Sequence, residues 1–159
     1  MVTIRSLTPQ DWPLWREARL AALTEAPHAF RARLSDWAHG GERQWRARLA
    51  TAEACHLVAL LDGRVVGLAG GVPGPDGTAQ LRSVWVGPEV RGRGVGDRLV
   101  AAVEAWARRS GATTLTLAVL PGNDAALALY RRHGFVAADA PGLRPDGATG
   151  ERVMAKPLG

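Results

Sequence analysis

Apolar residues recur along the chain with two periods, and the switches between those periods mark its elements. Residues 1–7 alternate and predict a strand. Thr8-Pro9-Gln10-Asp11 then reads as a helix start, with Thr8 as N-cap, Pro9 as the first helical residue and Asp11 as the acid of the first turn. Trp12, Trp15, Leu20 and Leu23 mark a broad apolar face, and the helix should stop before Pro27. Residues 29–37 predict a short helix or ordered loop, and residues 42–51 a second helix with Trp45 and Leu49 on one face.

From Cys55 onward the period shortens towards two. Residues 56–61 predict a strand, Asp62-Gly63 a hairpin turn and residues 64–72 the partner strand. After the turn signal of residues 73–77, residues 79–86 predict a third strand, so the three form an antiparallel meander. Residues 94–110 return to the helical period, with Val95, Leu99, Val103 and Trp106 or Ala107 on one stripe and Gly111 as the stop. Residues 113–120 alternate again, and a strand reached through a helix should lie parallel to the one before it. Pro121-Gly122 breaks it, Asn123 or Asp124 caps a helix to about His133, and Gly134 ends that helix. Residues 135–138 and 151–157 predict the closing strands, joined by a glycine-rich loop or wide hairpin.

Composition narrows the class. The chain has 159 residues, 47% of them hydrophobic and 22% charged, which predicts one globular domain over 1–159 and excludes disorder. No repeat, linker or low-complexity segment interrupts it. No apolar run approaches the roughly 20 residues that span a bilayer, and the first residues lack the layout of a signal peptide. A cytoplasmic protein without a membrane partner is the expectation. Cys55 stands alone, which excludes an internal disulfide and a cysteine metal cluster; no metal is expected, and the thiol reads as a small core residue. The net charge of +5 is almost all arginine, with Lys156 the single lysine. These arginines are dispersed and lack aromatic interleaving, so no nucleic-acid partner is expected.

The stretch that carries chemistry is Val84-Trp85-Val86-Gly87-Pro88-Glu89-Val90-Arg91-Gly92-Arg93-Gly94-Val95-Gly96-Asp97-Arg98-Leu99, an apolar strand entering a Gly/Arg turn that opens into a helix. Gly92, Gly94 and Gly96 leave backbone N–H groups without side-chain cover, and the helix N-terminus adds unpaired donors and partial positive charge. Arg91, Arg93 and Arg98 surround the turn. It is a site for a phosphate or diphosphate. The nucleotide P-loop is excluded because its lysine is missing, and the dinucleotide fingerprint fails at Asp97 and Leu99.

Arg-x-x-Gly-x-Gly, formed here by Arg91, Gly94 and Gly96, resembles the coenzyme A pyrophosphate loop of the GNAT superfamily of N-acetyltransferases. A second feature of that family is a strand followed by Asn, then Tyr seven residues on, then Gly-Phe. Here these are Asn123, Tyr130 and Gly134-Phe135. The order of predicted elements matches as well. The resemblance implies an α/β (α+β) fold with a mixed, mostly antiparallel twisted sheet of six to seven strands, about four flanking helices and a splay between the two central parallel strands.

It further implies acetyl transfer from acetyl-CoA to a primary amine through a direct ternary complex, on a small-molecule or peptide acceptor. A backbone N–H among Val84, Trp85 and Val86 would face the thioester carbonyl, and the pyrophosphate would sit over Arg91, Gly92, Arg93, Gly94, Val95, Gly96 and Asp97. Which of Arg91, Arg93 and Arg98 meets phosphate stays open. Asn123 would hydrogen-bond the cofactor, and Tyr130, the single tyrosine, would protonate the departing thiolate. Its plain structural role is that of a core aromatic. Phe30 and Trp37, with residues 141–145, are candidates for the acceptor-pocket wall. Trp85 either packs in the core or borders the thioester.

The strand before the turn carries no acid, and Glu89 lies beyond it, facing solvent. Glu25, His28, Asp36 and Glu53 come from regions that could border the acceptor, so the base is unassigned, with relay through ordered water as the default. Dimers are common in the family, so a homodimer is compatible with the resemblance. A catalytically idle acyl-CoA-binding sensor or interaction module is the alternative. Tyr130 argues against it and the missing strand carboxylate argues for it.

Overall fold

The hairpin signalled by Asp62-Gly63 forms, joining two neighbouring strands of a seven-stranded sheet. A computed structural model describes residues 1–26, 41–50, 53–120, 122–138 and 152–158. The strands are β1 (Val2–Ser6), β2 (Cys55–Leu61), β3 (Arg64–Pro73), β4 (Thr78–Val86), β5 (Thr114–Val119), β6 (Val136–Ala137) and β7 (Arg152–Pro157). They form one sheet in the order β1-β2-β3-β4-β5-β7-β6. All neighbours are antiparallel except β4 and β5, which run parallel. The helices among the described residues are α1 (Trp12–Glu25), α2 (Glu42–Leu49), α3 (Val95–Arg109) and α4 (Asp124–Arg132). This is the expected mixed sheet and helix complement.

Both faces of the sheet are covered, which explains why β2 and β3 read as nearly continuous apolar runs. Along β2, Leu57 and Ala59 join the core shared with α3, while Val58 and Leu60 join the one shared with α1 and α2. Leu99, Val103, Leu115, Leu117 and Phe135 are buried in the first layer. Trp15, Ala22, Trp45, Leu68 and Trp85 are buried in the second. Cys55 is buried in the first layer as a core residue, and burial pushes its thiol up to about 11. The helices leave none long and apolar enough to cross a membrane among the described residues.

Two helix details differ from the sequence pattern. Thr8 and Asp11 do form a reciprocal start, with the Thr8 backbone N–H donating to Asp11 Oδ2 at 2.9 Å. The first turn, however, is 3-10 over Pro9–Asp11, and the α-helix begins at Trp12. The buried stripe of α1 runs Trp15, Ala18, Arg19, Ala22 and Leu23. Leu20 and Trp12 are only half-buried, because alanines let α1 lie close to the sheet along a line that Leu20 misses. An arginine thus occupies a position on the inner face.

The last strands are arranged by long-range pairing. β7 inserts between β5 and β6, with Leu117 opposite Met154 and Val136 opposite Ala155. Trp45 anchors α2 from the other layer. It is fully buried, stands edge-on to Trp15 at 5.6 Å between ring centroids, and lies under the Arg48 guanidinium at 4.8 Å. Trp45→Ala should therefore destabilise the protein by about 3–5 kcal/mol, read as a lower urea midpoint; a loss of under about 1 kcal/mol would show that α2 is peripheral to the fold.

Candidate active site

The site begins where two parallel strands part. β4 and β5 are paired only at Thr78–Thr114, Ala79–Leu115 and Gln80–Thr116. At the last rung the buried Thr116 hydroxyl donates across the strands to the Ala79 carbonyl at 3.2 Å. Beyond it β4 continues to Val86 and β5 to Val119 without each other. β4 bends here because its register against β3 shifts between Leu68 and Gly70. The extra residue is Ser83, which holds φ at +60°. Such a conformation costs of order 1–3 kcal/mol for a residue with a Cβ. Arg19 Nη1 donates to Ser83 Oγ at 2.9 Å and holds the bulge from α1.

Past the bulge, Trp85 pairs with Leu68, and the Gly87 N–H donates to the Val66 carbonyl at 2.7 Å. Alternation along an antiparallel strand then turns the N–H and C=O groups of Val84 and Val86 into the fork. The Val86 carbonyl accepts from Arg91 Nε at 3.1 Å.

The chain leaves β4 through a 3-10 turn at Pro88–Val90 and enters the Gly/Arg loop. The Arg91 N–H reaches Pro88 O, and the Arg98 N–H reaches Gly94 O. Between them, no backbone N–H from Gly92 to Asp97 makes a close hydrogen bond to a backbone carbonyl among the described residues. Gly94, the N-cap of α3, sits at φ +78°, where a side chain would be strained. Gly96 serves a different purpose. A Cβ there would lie 3.3 Å from Leu129 Cδ2 and 3.4 Å from Val86 Cγ2, so its bareness lets α3 start against the end of β4 and against α4.

The loop, the fork and α4 enclose one cavity of about 660 Å³. Val84, Trp85, Val86, Arg91, Gly92, Gly94, Val95, Gly96, Asp97, Asn123 and Tyr130 all line it, together with Glu25 and Arg132. Tyr130 belongs both to the core and to the cavity wall. Its ring is packed in the core, edge-on to Phe135 at 5.9 Å, while the residue also borders the cavity. Burial pushes its phenol well above the ordinary tyrosine value, so it remains protonated across the physiological range.

Asn123 spends its side-chain oxygen on α4, accepting from the Ala126 N–H at 3.3 Å. Glu25 lies at the C-terminus of α1, where its carboxylate accepts from Trp85 Nε1 at 3.1 Å and pairs with Arg91. Asp97 accepts from His133 Nε2 at 2.9 Å and from Arg132 Nη2 at 3.2 Å. Those partners, His133 first, hold its carboxyl below the ordinary range.

The surrounding arginines sort differently from the sequence expectation. Arg98 is turned away from the loop, with Nη1 donating to the Val2 carbonyl of β1 at 2.6 Å. Arg93 is exposed and does not line the cavity, whereas Arg132, which sequence reading passed over, does. Its signal was its place two residues after Tyr130 on a helix that packs beside the loop. Glu53 borders a separate hollow with Trp106 and Gly111, and Glu89 is exposed. Phe30, Trp37, His28, Asp36 and residues 141–145 lie outside the described residues. No group of three or more potential metal ligands occurs among the described residues.

The model of the Acetyltransferase (GNAT) family matches residues 12–135. The chain belongs to that family. As a GNAT N-acetyltransferase it is 31% identical over 144 residues to the aminoglycoside N(6')-acetyltransferase type 1 of Stenotrophomonas maltophilia, covering 84% of this chain and 85% of that protein. The GNAT-family acetyltransferase of Streptococcus pneumoniae superposes over the whole of both chains with a TM-score of 0.78 at 21% identity. The PaiA N-acetyltransferase of Thermoplasma acidophilum, solved in complex with coenzyme A, superposes over 99% of each chain with a TM-score of 0.74 at 18% identity.

The Asp97 pairing makes stability depend on pH. A depressed native value favours folding once pH exceeds the ordinary 3.8, and the benefit disappears as pH falls through the native value. Asp97→Asn should therefore melt below wild type at neutral pH, with the two converging under strongly acid conditions. Thermal melts across that range check the sign, and a constant gap at every pH would refute it.

Proposed function

We propose that this enzyme moves the acetyl group of acetyl-CoA to the primary amine of a small-molecule or peptide acceptor by direct attack, with both substrates bound together. The observation that carries the reading is the continuity of one cavity from the unpaired N–H groups of residues 92–97, through the open fork, to Tyr130. An anionic diphosphate meets main-chain donors and the start of α3 at one end. An amide-bearing arm meets the free edges of Val84 and Val86 as an added strand would. The glycines, the bulge and the splay fit such a ligand, and the complex of the PaiA relative with coenzyme A supports the same choice.

In this reading the N–H groups of Val84 and Val86 supply preorganised donors for the charge that develops on the thioester oxygen. The amine nitrogen forms the new C–N bond as the C–S bond breaks, and Tyr130 gives its proton to the departing sulfur. Glu25 is the carboxylate on the fork side of the cavity, placed to draw the amine's proton away through water. The aminoglycoside acetyltransferase relative supports a small-molecule amine as one acceptor class.

Tyr130→Phe tests the assignment because it deletes the proton donor while keeping the ring in the core. It should lower kcat tenfold or more and leave coenzyme A affinity by calorimetry nearly unchanged. Full activity with an unaltered pH–rate profile would remove the acid, and wild-type protein that ignores millimolar coenzyme A would end the reading altogether.

A further inference from the structure

Arg91 holds two groups of the transfer cavity at once. Its Nε donates to the Val86 carbonyl at 3.1 Å, and its Nη2 pairs with Oε1 of Glu25. Both contacts fold the side chain back from the start of the loop, onto the ends of β4 and α1. Glu25 and Arg91 line the cavity together, and their side chains keep 30% and 52% of their surface exposed. An ion pair this open to water is weak and exchanges its partners at small cost. Glu25 has a second anchor in the Trp85 indole, whose Nε1 donates to the same Oε1 at 3.1 Å. Its other oxygen, Oε2, has no hydrogen-bond partner among the described residues.

The Val86 carbonyl lies on the edge of β4 that an added strand would use, and such a strand donates amide N–H groups to edge carbonyls. Arg91 Nε already occupies that acceptor. A ligand arm along the fork and the Arg91 side chain therefore compete for one oxygen. If the arm wins, Glu25 keeps the Trp85 indole and loses its cation. Arg132, the other arginine lining the cavity, is committed to Asp97 through both carboxylate oxygens at 3.2 Å. A half-buried carboxylate stripped of its counter-charge favours a new cation in the same position.

Resting on the acetyl-transfer reading, we infer that Glu25 receives the acceptor amine as its ammonium, in the position the Arg91 guanidinium holds, and that the coenzyme's arm clears that position by taking the Val86 carbonyl. One side chain thus stands in for part of each substrate. The released guanidinium is next in sequence to the loop donors, where a diphosphate offers it paired, charge-assisted acceptors. The ammonium gives a proton up through Glu25 to water before its nitrogen attacks. An amine alone gains little, since it must displace a guanidinium already in place. Coupling of this kind is reciprocal, so each substrate raises the affinity of the other by one factor.

Calorimetry of coenzyme A across a double-mutant cycle reads the exchange. Glu25→Gln removes the counter-ion that draws Arg91 away and should tighten coenzyme A about threefold, the scale of an exposed ion pair. In an Arg91→Met background the same change should leave the affinity unaltered. Equal tightening in both backgrounds would mean that Glu25 acts only by repelling phosphate, and would overturn the exchange. The Trp85 indole N–H resonance, assigned by its loss in Trp85→Phe, reports on Glu25 in the unmutated pair. Ethylamine, small enough to enter a narrow acceptor pocket, should shift it in wild type only when coenzyme A is bound, and ethanol should not. In Arg91→Met the ethylamine response should appear without coenzyme.

An ethylamine shift of the same size with and without coenzyme in wild type, or one that survives Glu25→Gln, would overturn the inference. Its failure and that of the activity are separable. Tight coenzyme A with an additive cycle would sink the exchange and leave acetyl transfer standing. Wild type that ignores coenzyme A, with ethylamine still moving the Trp85 indole in Arg91→Met, would uphold the ammonium position at Glu25 and sink acetyl transfer.

Discussion

The parting of β4 from β5 after Gln80 and Thr116 is the constraint from which the rest of the site follows. Backbone N–H and C=O groups inside a sheet are ordinarily paired, because an unpaired one away from water costs about as much as a lost hydrogen bond. Here Val84 and the Val86 N–H face an open gap, the Val86 carbonyl is taken by Arg91 Nε, and the loop after them adds a row of N–H groups without a close backbone acceptor among the described residues. Such a surface is stable beside water and well suited to a ligand bearing amides and phosphates. The Thr116 hydroxyl on the Ala79 carbonyl closes the fork at its root, and the bulge at Ser83 turns β4 away from its neighbour. The opening is therefore built from both ends.

Charge is distributed to serve that opening. The start of α3 contributes partial positive charge from aligned peptide groups, and Asp97, the acid in its first turn, accepts hydrogen bonds from His133 and Arg132. On the far side of β4, Arg91 is drawn to Glu25 and the Val86 carbonyl, so its charge stands between the loop and the fork. The arginines of α1, α2 and β4 line a separate hollow beside the bulge. Tyr130 and Glu25 both line the cavity at the fork.

The bulge links these regions mechanically. Ser83 stays in the left-handed region because Arg19 holds its hydroxyl, and Arg19 stays inside because alanines at positions 18 and 22 let α1 approach the sheet. Both neighbours are fully buried. A buried guanidinium carries a large desolvation cost, and its hydrogen bond at the bend of the active strand is the return visible in the structure.

The period of the chain by itself settled the meander and the parallel step after α3, because these depend on residues close together in sequence. Turn chemistry, helix stripes and the need for small residues near main-chain donors are local and therefore readable. Tertiary structure decided what distant segments do to one another. It placed β7 between β5 and β6, turned Arg98 onto β1 and away from the loop, brought Glu25 to Trp85 and Arg91, and gathered three arginines at the bulge. Charged side chains are long and flexible, so periodicity says which face of a helix they start from, and only packing and the cost of burying charge decide where they end.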